Sequence, residues 1–267
     1  MWHFTADLPG FLARTGDFLR SQPALHTTPL TVLSKLPTRD ATVFGWLEEG
    51  GSVRALLYRR PSGRLTITVL SASQASSLAA ELDLALSGVT ADHDTAAAFA
   101  SAWQLRTGVV PVCSWQGRLH RLGTLTPPSP GLVGRAVSAR DRAQVVRWCD
   151  SFVVAVGETP VPWADSRFAD KRFTFWETSD SGPVAMAGAT PMLAGMVRVD
   201  PVFTPVHLRG RGYAGAVTAA VTQAALDAGA TDVVLFTDPH NPTSNALYQR
   251  IGYVRIAEFT GYDFPDG

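Results

Sequence analysis

A chain of 267 residues, 46% hydrophobic and 17% charged, has room for one large domain or two modest ones, and folding at this size buries roughly 70% of the unfolded surface. Lys+Arg and Asp+Glu both number 23, a balance that argues against a nucleic-acid binder or a basic membrane-surface protein. No apolar run approaches the ~20 residues of a membrane span, Met1–Gly10 lacks a cationic leader, and Cys113 and Cys149 form no C-x-x-C; the expectation is a soluble cytoplasmic protein with two reduced, packed thiols and no metal site.

Asp7–Arg20 has helical spacing, whereas Leu25–Leu36 alternates too irregularly to assign. Strands are predicted at Thr42–Trp46 and Val53–Arg59, joined by Glu-Glu-Gly-Gly-Ser, and at Leu65–Leu70. Helices follow at Ser73–Leu86 and Asp94–Thr107. The cluster Leu125-Thr-Pro-Pro-Ser-Pro-Gly131 can continue neither a helix nor a central strand, so it reads as a linker.

Beyond it, Arg140–Val156 places Val145, Trp148, Cys149, Phe152 and Val156 on one helical stripe. Strands at Arg172–Glu177, Pro183–Thr190 and Met196–Thr204 come next, the last interrupted by Pro201. A glycine-rich turn leads into a helix from Tyr213 to Ala228, a buried-type strand at Asp232–Thr237, a short helix at Pro242–Ile251 capped by Asn241, and a closing strand at Tyr253–Phe264. The downstream half is therefore α/β, with strands around a glycine-opened helix.

The turn admits two patterns. Gly210-x-Gly212-x-x-Gly215 matches the dinucleotide fingerprint, but Pro205–Arg209 separate the strand from the first glycine and only 29 residues follow Asp238, too few for a second mononucleotide half. Arg209-x-x-Gly212-x-Ala214 instead builds an anion cradle: small residues admit a diphosphate to the backbone, and the helix N-terminus and the Arg209 and Arg211 guanidinia complement its charge.

This second pattern resembles the R/Q-x-x-G-x-G/A motif of the GNAT superfamily of acyl-CoA N-acyltransferases. A second stretch, Leu235-Phe-Thr-Asp-Pro-His-Asn-Pro-Thr-Ser-Asn-Ala-Leu-Tyr-Gln-Arg-Ile-Gly-Tyr253, resembles that family's fifth strand, next helix and final hairpin, and is close to a subgroup of bacterial acetyltransferases with an extra N-terminal half. The resemblance implies a tandem GNAT-like fold of mixed-sheet α/β (α+β) class: residues 1–124 a degenerate half lacking the motif, 125–131 a linker and 132–267 the catalytic half. It also implies an acetyl-CoA-dependent N-acetyltransferase, in which an amine of a small molecule or peptide attacks the thioester directly. The alternative is a non-catalytic acyl-CoA-binding or scaffold protein with the same fold.

Residue by residue, the resemblance makes Val202, Phe203 and Thr204 main-chain partners of the pantetheine arm, with Pro201 fitting either such a site or an edge strand. Arg209, Gly210, Arg211, Gly212, Tyr213 and Ala214 hold the diphosphate. Asn241 and Asn245 join the cofactor-binding set, although Asn241 also reads as a helix cap. Tyr248, one turn from Asn245 and on the same face, is the proton donor to the departing thiolate, and also lines the cofactor site. The strand position that carries a catalytic glutamate in some relatives is Arg198 here. Asp200 and Glu177 are the remaining candidates for a base.

Overall fold

The computed structural model describes residues 1–36, 43–126 and 134–265; of the 125–131 linker, residues 127–131 lie outside the described residues. The chain forms two compact units, Met1–Leu119 with Ile256–Gly267, and His120–Arg255. Two strands each begin in one unit and end in the other.

The first unit comprises β1 (Trp2–Thr5), α1 (Leu8–Ser21), α2 (Thr27–Leu33), β2 (Val43–Glu49), β3 (Ser52–Arg59), β4 (Arg64–Ile67), α3 (Ala72–Glu81), β5 (Gly88–Asp92), α4 (His93–Thr107) and the start of β6 (Val112–Leu122). Asp7 caps α1 by accepting from the Gly10 amide, and Ser71 and Gln74 close a capping box on α3. Strands β1, β2, β3 and β4 pair antiparallel in turn, and β4 lies parallel to β5. The α3–α4 pair packs Leu78, Phe99 and Trp103 on the sheet's inner residues Leu57, Leu65 and Val89.

The second unit comprises β7 (Arg135–Ser138), α5 (Arg142–Ala155), β8 (Arg172–Thr178), β9 (Gly182–Ala189), β10 (Met196–Phe203), α6 (Tyr213–Asp227), β11 (Asp232–Thr237), α7 (Pro242–Arg250) and the start of β12 (Tyr253–Asp263). Its strand order is β11-β10-β9-β8-β7, with only β10–β11 parallel. Helix α6 lays Val217 and Val221 on one face of the sheet, and α5 lays Val145, Cys149 and Val153 on Phe175 and Met186. The buried stripe on α5 thus ends at Val153, three residues short of the predicted Val156, which caps the helix and is exposed.

The predicted elements are all present, and the structure adds α2 and the strands β1, β5, β6 and β7. Cys149 is buried as expected, but Cys113 is exposed, because the first five residues of β6 face solvent. Among the described residues no helix is long and apolar enough to cross a membrane.

Candidate functional site

Strands β10 and β11 are neighbours over three pairs only: Met196 with Asp232, Val197 with Val233 and Arg198 with Val234. Past Arg198 they part, leaving residues 199–203 of β10 without a partner on β11. On its other side β10 bulges. Its register against β9 shifts between Val199 and Val202, so Asp200 and Pro201, joined by a cis peptide, together stand opposite Gly188. A bulge bends the strand that carries it. A Cβ on Gly188 would lie 2.7 Å from the Asp200 carbonyl oxygen and 3.0 Å from Pro201 Cδ, so glycine is what admits the bulge. As a whole β10 lies between β9 and β11 and is not an edge strand, but Pro201 falls past its last pair with β11.

The chain leaves β10 through Thr204, which is buried with its hydroxyl unpartnered. One short turn, Val206–Leu208, follows. Arg209 then folds back, its Nε donating to the Thr204 carbonyl at 3.1 Å. Gly210 and Gly212 take φ of +77° and +83°, a region that a Cβ disfavours. Gly212 is the N-cap of α6 and no side chain caps the helix. The first helical bond runs from the Ala216 amide to the Gly212 carbonyl, so the amides of Tyr213, Ala214 and Gly215 have no helical acceptor. Three amides without a helical acceptor at the positive end of a 15-residue helix, next in sequence to two arginines, are chemically suited to an anion. Gly215 allows α7 to approach, since a Cβ there would meet Leu247 Cδ1 at 3.1 Å.

Helix α7 is fastened to β11 by its polar residues. Asn241 caps it, its Oδ1 accepting from the Ser244 amide at 3.0 Å. The buried Asn245 donates through Nδ2 to the carbonyls of Asp238 and Asn241, at 2.9 and 2.7 Å, and accepts from the Thr237 hydroxyl at 2.7 Å. His120 Nε2 bonds the same hydroxyl at 3.0 Å. Asn245 therefore commits its amide to holding the β11–α7 connection.

One turn on, Tyr248 is 8% exposed and sets its ring edge-on to Tyr253, 6.2 Å between centroids. Burial pushes the Tyr248 phenol well above its usual value, with Tyr253 and the Asp200 charge adding to the effect. It stays protonated at neutral pH.

Two groups that the sequence did not bring together meet behind the bulge. Lys171 Nζ, 1% exposed, pairs with Asp200 Oδ2 and lies 4.7 Å from the centre of the Phe168 ring. Burial brings the Lys171 ammonium down to about 8, against the pull of Asp200. Burial alone would raise the Asp200 carboxyl, but the charges of Lys171, Arg198 and Arg167 outweigh it and hold Asp200 below the usual carboxylate value. The sequence carried one signal: Lys171 is one of only two lysines among 23 basic residues. Glu177 is elsewhere. It pairs with Arg135 and Pro183 four residues along β8 from Phe173, the residue level with the bulge, or ~13 Å away at strand rise.

Residues 142–253 match the family model described as Acetyltransferase (GNAT) family. No curated protein matches the chain. Among solved structures, a GNAT-family acetyltransferase from Colwellia psychrerythraea aligns with a TM-score of 0.63 at 9% identity, covering 99% of each chain. A GCN5-related N-acetyltransferase from Sphaerobacter thermophilus aligns at 0.57 and 14% identity, covering 98% of this chain and 94% of its own. A tandem GNAT protein from the clavulanic acid biosynthesis pathway aligns at 0.57 and 12%, covering 98% of each. At such identities the likeness is one of fold, and it extends a tandem GNAT-like fold over both units.

Proposed function

We propose that this chain, whose residues 142–253 match the GNAT acetyltransferase family model, moves an acetyl group from acetyl-CoA to a primary amine of a small molecule or peptide. The observation that carries the reading is the parting of β10 from β11 beside the uncapped, glycine-opened N-terminus of α6. The residues present suit the ligand: an unpartnered buried Thr204 hydroxyl, a stretch of β10 with no partner on β11, and a cradle that a Cβ would strain.

In this reading Val202, Phe203 and Thr204 offer main-chain groups to the pantetheine arm as a neighbouring strand would. The amides from Gly210 to Ala214, with Arg211, hold the diphosphate, and Arg209 stiffens the loop through Thr204. Asn241 and Asn245 shape the site by fixing α7 rather than by direct contact. Bound acetyl-CoA supplies an acyl group activated as a thioester. The main chain of the parted strand polarises its carbonyl, and the Tyr248 hydroxyl gives its proton to the departing sulfur. A phenol kept protonated by burial is suited to that task.

Release of CoA tests the assignment. Tyr248→Phe removes one hydroxyl and keeps the ring on Tyr253, so kcat should fall about 10²–10⁴-fold with acetyl-CoA affinity nearly unchanged. An unchanged kcat would make Tyr248 a packing residue.

A further inference from the structure

A lysine buried to 1% exposure is costly unless its charge is paired or removed. The proton donor described above has no use for it, and Gly188 already makes room for the bulge. Its partner differs: the Asp200 side chain is 26% exposed. Asp200 sits in the bulge where β10 leaves β11, and its charge is felt at Tyr248. One carboxylate thus has a buried amine behind it, an opening to solvent in front, and the proton donor within electrostatic reach.

We propose that Asp200 is the base that takes a proton from the acceptor ammonium, and that Lys171, walled off from any substrate, is the positioning residue whose own charge sets how basic Asp200 is. The proposal rests on the acetyl-transfer reading. The acceptor enters as R–NH3⁺ and passes one proton to the exposed oxygen of Asp200, and from there to water. The freed lone pair forms the N–C bond as the C–S bond breaks. Tyr248 protonates the sulfur and regains a proton from the second N–H of the amine. The products are an amide, a thiol and one proton.

The pair has two settings. While Lys171 is charged, Asp200 is a weak base. When Lys171 loses its proton, near pH 8, Asp200 loses its nearest counter-charge, and burial drives its proton affinity up. The other groups facing the pair are Cys149 of α5, Arg167 on the loop before β8, Arg198 of β10 and Tyr248 of α7. Cys149, pushed up to about 12 by burial, does not titrate in this window.

With only Lys35 and Lys171 in the chain, ¹³Cε-lysine labelling gives two resonances, and Lys171→Met identifies the second. Its titration should have a midpoint near pH 8 in the wild type and lower in Asp200→Asn. A midpoint above pH 10 overturns the proposal without any acceptor being needed.

The turnover arm measures CoA release from acetyl-CoA with benzylamine, histamine and a glycyl peptide. Asp200→Asn should lower kcat about 10²–10³-fold with acetyl-CoA affinity intact. Lys171→Met should abolish the rise in kcat around pH 8, while the acceptor's own ionisation contributes the same limb to every variant. Full turnover in Asp200→Asn, or a pH 8 step that survives in Lys171→Met with benzylamine, whose amine titrates above that range, overturns the proposal alone. Absence of acetyl-CoA binding by the wild type overturns instead the reading on which it rests.

Discussion

His26 is 6% exposed at the start of α2, its ring 4.6 Å from that of Phe18 and its Nδ1 3.1 Å from the Leu19 carbonyl oxygen. Burial lowers its proton affinity, and the backbone hydrogen bonds recover only part of the loss. The sign follows from linkage. Because the folded value lies below 6.5, the unfolded chain binds the proton first as pH falls. Stability from this group is fully present above pH 6.5 and is lost progressively below it, by at most about 1.4 kcal/mol per pH unit. Denaturant melts at pH 7.5 and 5.5 should differ by less in His26→Gln than in the wild type. An identical difference would mean that His26 is not the titrating group.

The bulge on β10 depends on a residue of the neighbouring strand. Gly188→Ala would bring a methyl within 3.0 Å of the Asp200 carbonyl, Phe173 and Pro201 together. It should destabilise the fold by about 1–3 kcal/mol, and it should also lower kcat, because the displaced residue is Asp200. A variant as stable and as active as the wild type would show that the bulge is not fixed from β9. The strand, its interruption at Pro201 and the glycine turn were legible because proline and glycine punctuate sequence locally. The parting from β11 was legible only through the family resemblance. Strand β6 was missed for a physical reason: Val112–Gln116 all face solvent, so no alternation announces them. Strands β1, β5 and β7 are four or five residues long, too short for a period to register. The Lys171–Asp200 pair spans 29 positions, and no local pattern brings such residues together.

At the scale of the molecule, the first compact unit joins two pieces of chain, Met1–Leu119 and Ile256–Gly267, and the second, His120–Arg255, begins inside β6 and ends inside β12. A fragment 132–267 lacks His120, which bonds Thr237, and Arg121, which pairs with Asp232. It also carries residues 256–265, including the buried Phe264, away from the Trp103 core of the first unit. Expressed alone, that fragment should aggregate or melt well below the intact chain, while a fragment with the monomeric solubility and melting temperature of the whole would show the units to be separable. We propose that the chain has one acetyl-CoA cradle, at the N-terminus of α6, and none in the first unit. Calorimetric titration of acetyl-CoA into the full chain tests it most directly, alongside Gly212→Ala and Gly212→Asp. The alanine adds only the strain of a Cβ at φ +83°, about 1 kcal/mol, whereas the aspartate also places a negative charge at the proposed diphosphate site. The expected result is one site per chain, weakened modestly by alanine and abolished by aspartate in a folded protein. Two sites per chain, or an unchanged affinity in folded Gly212→Asp, would contradict it.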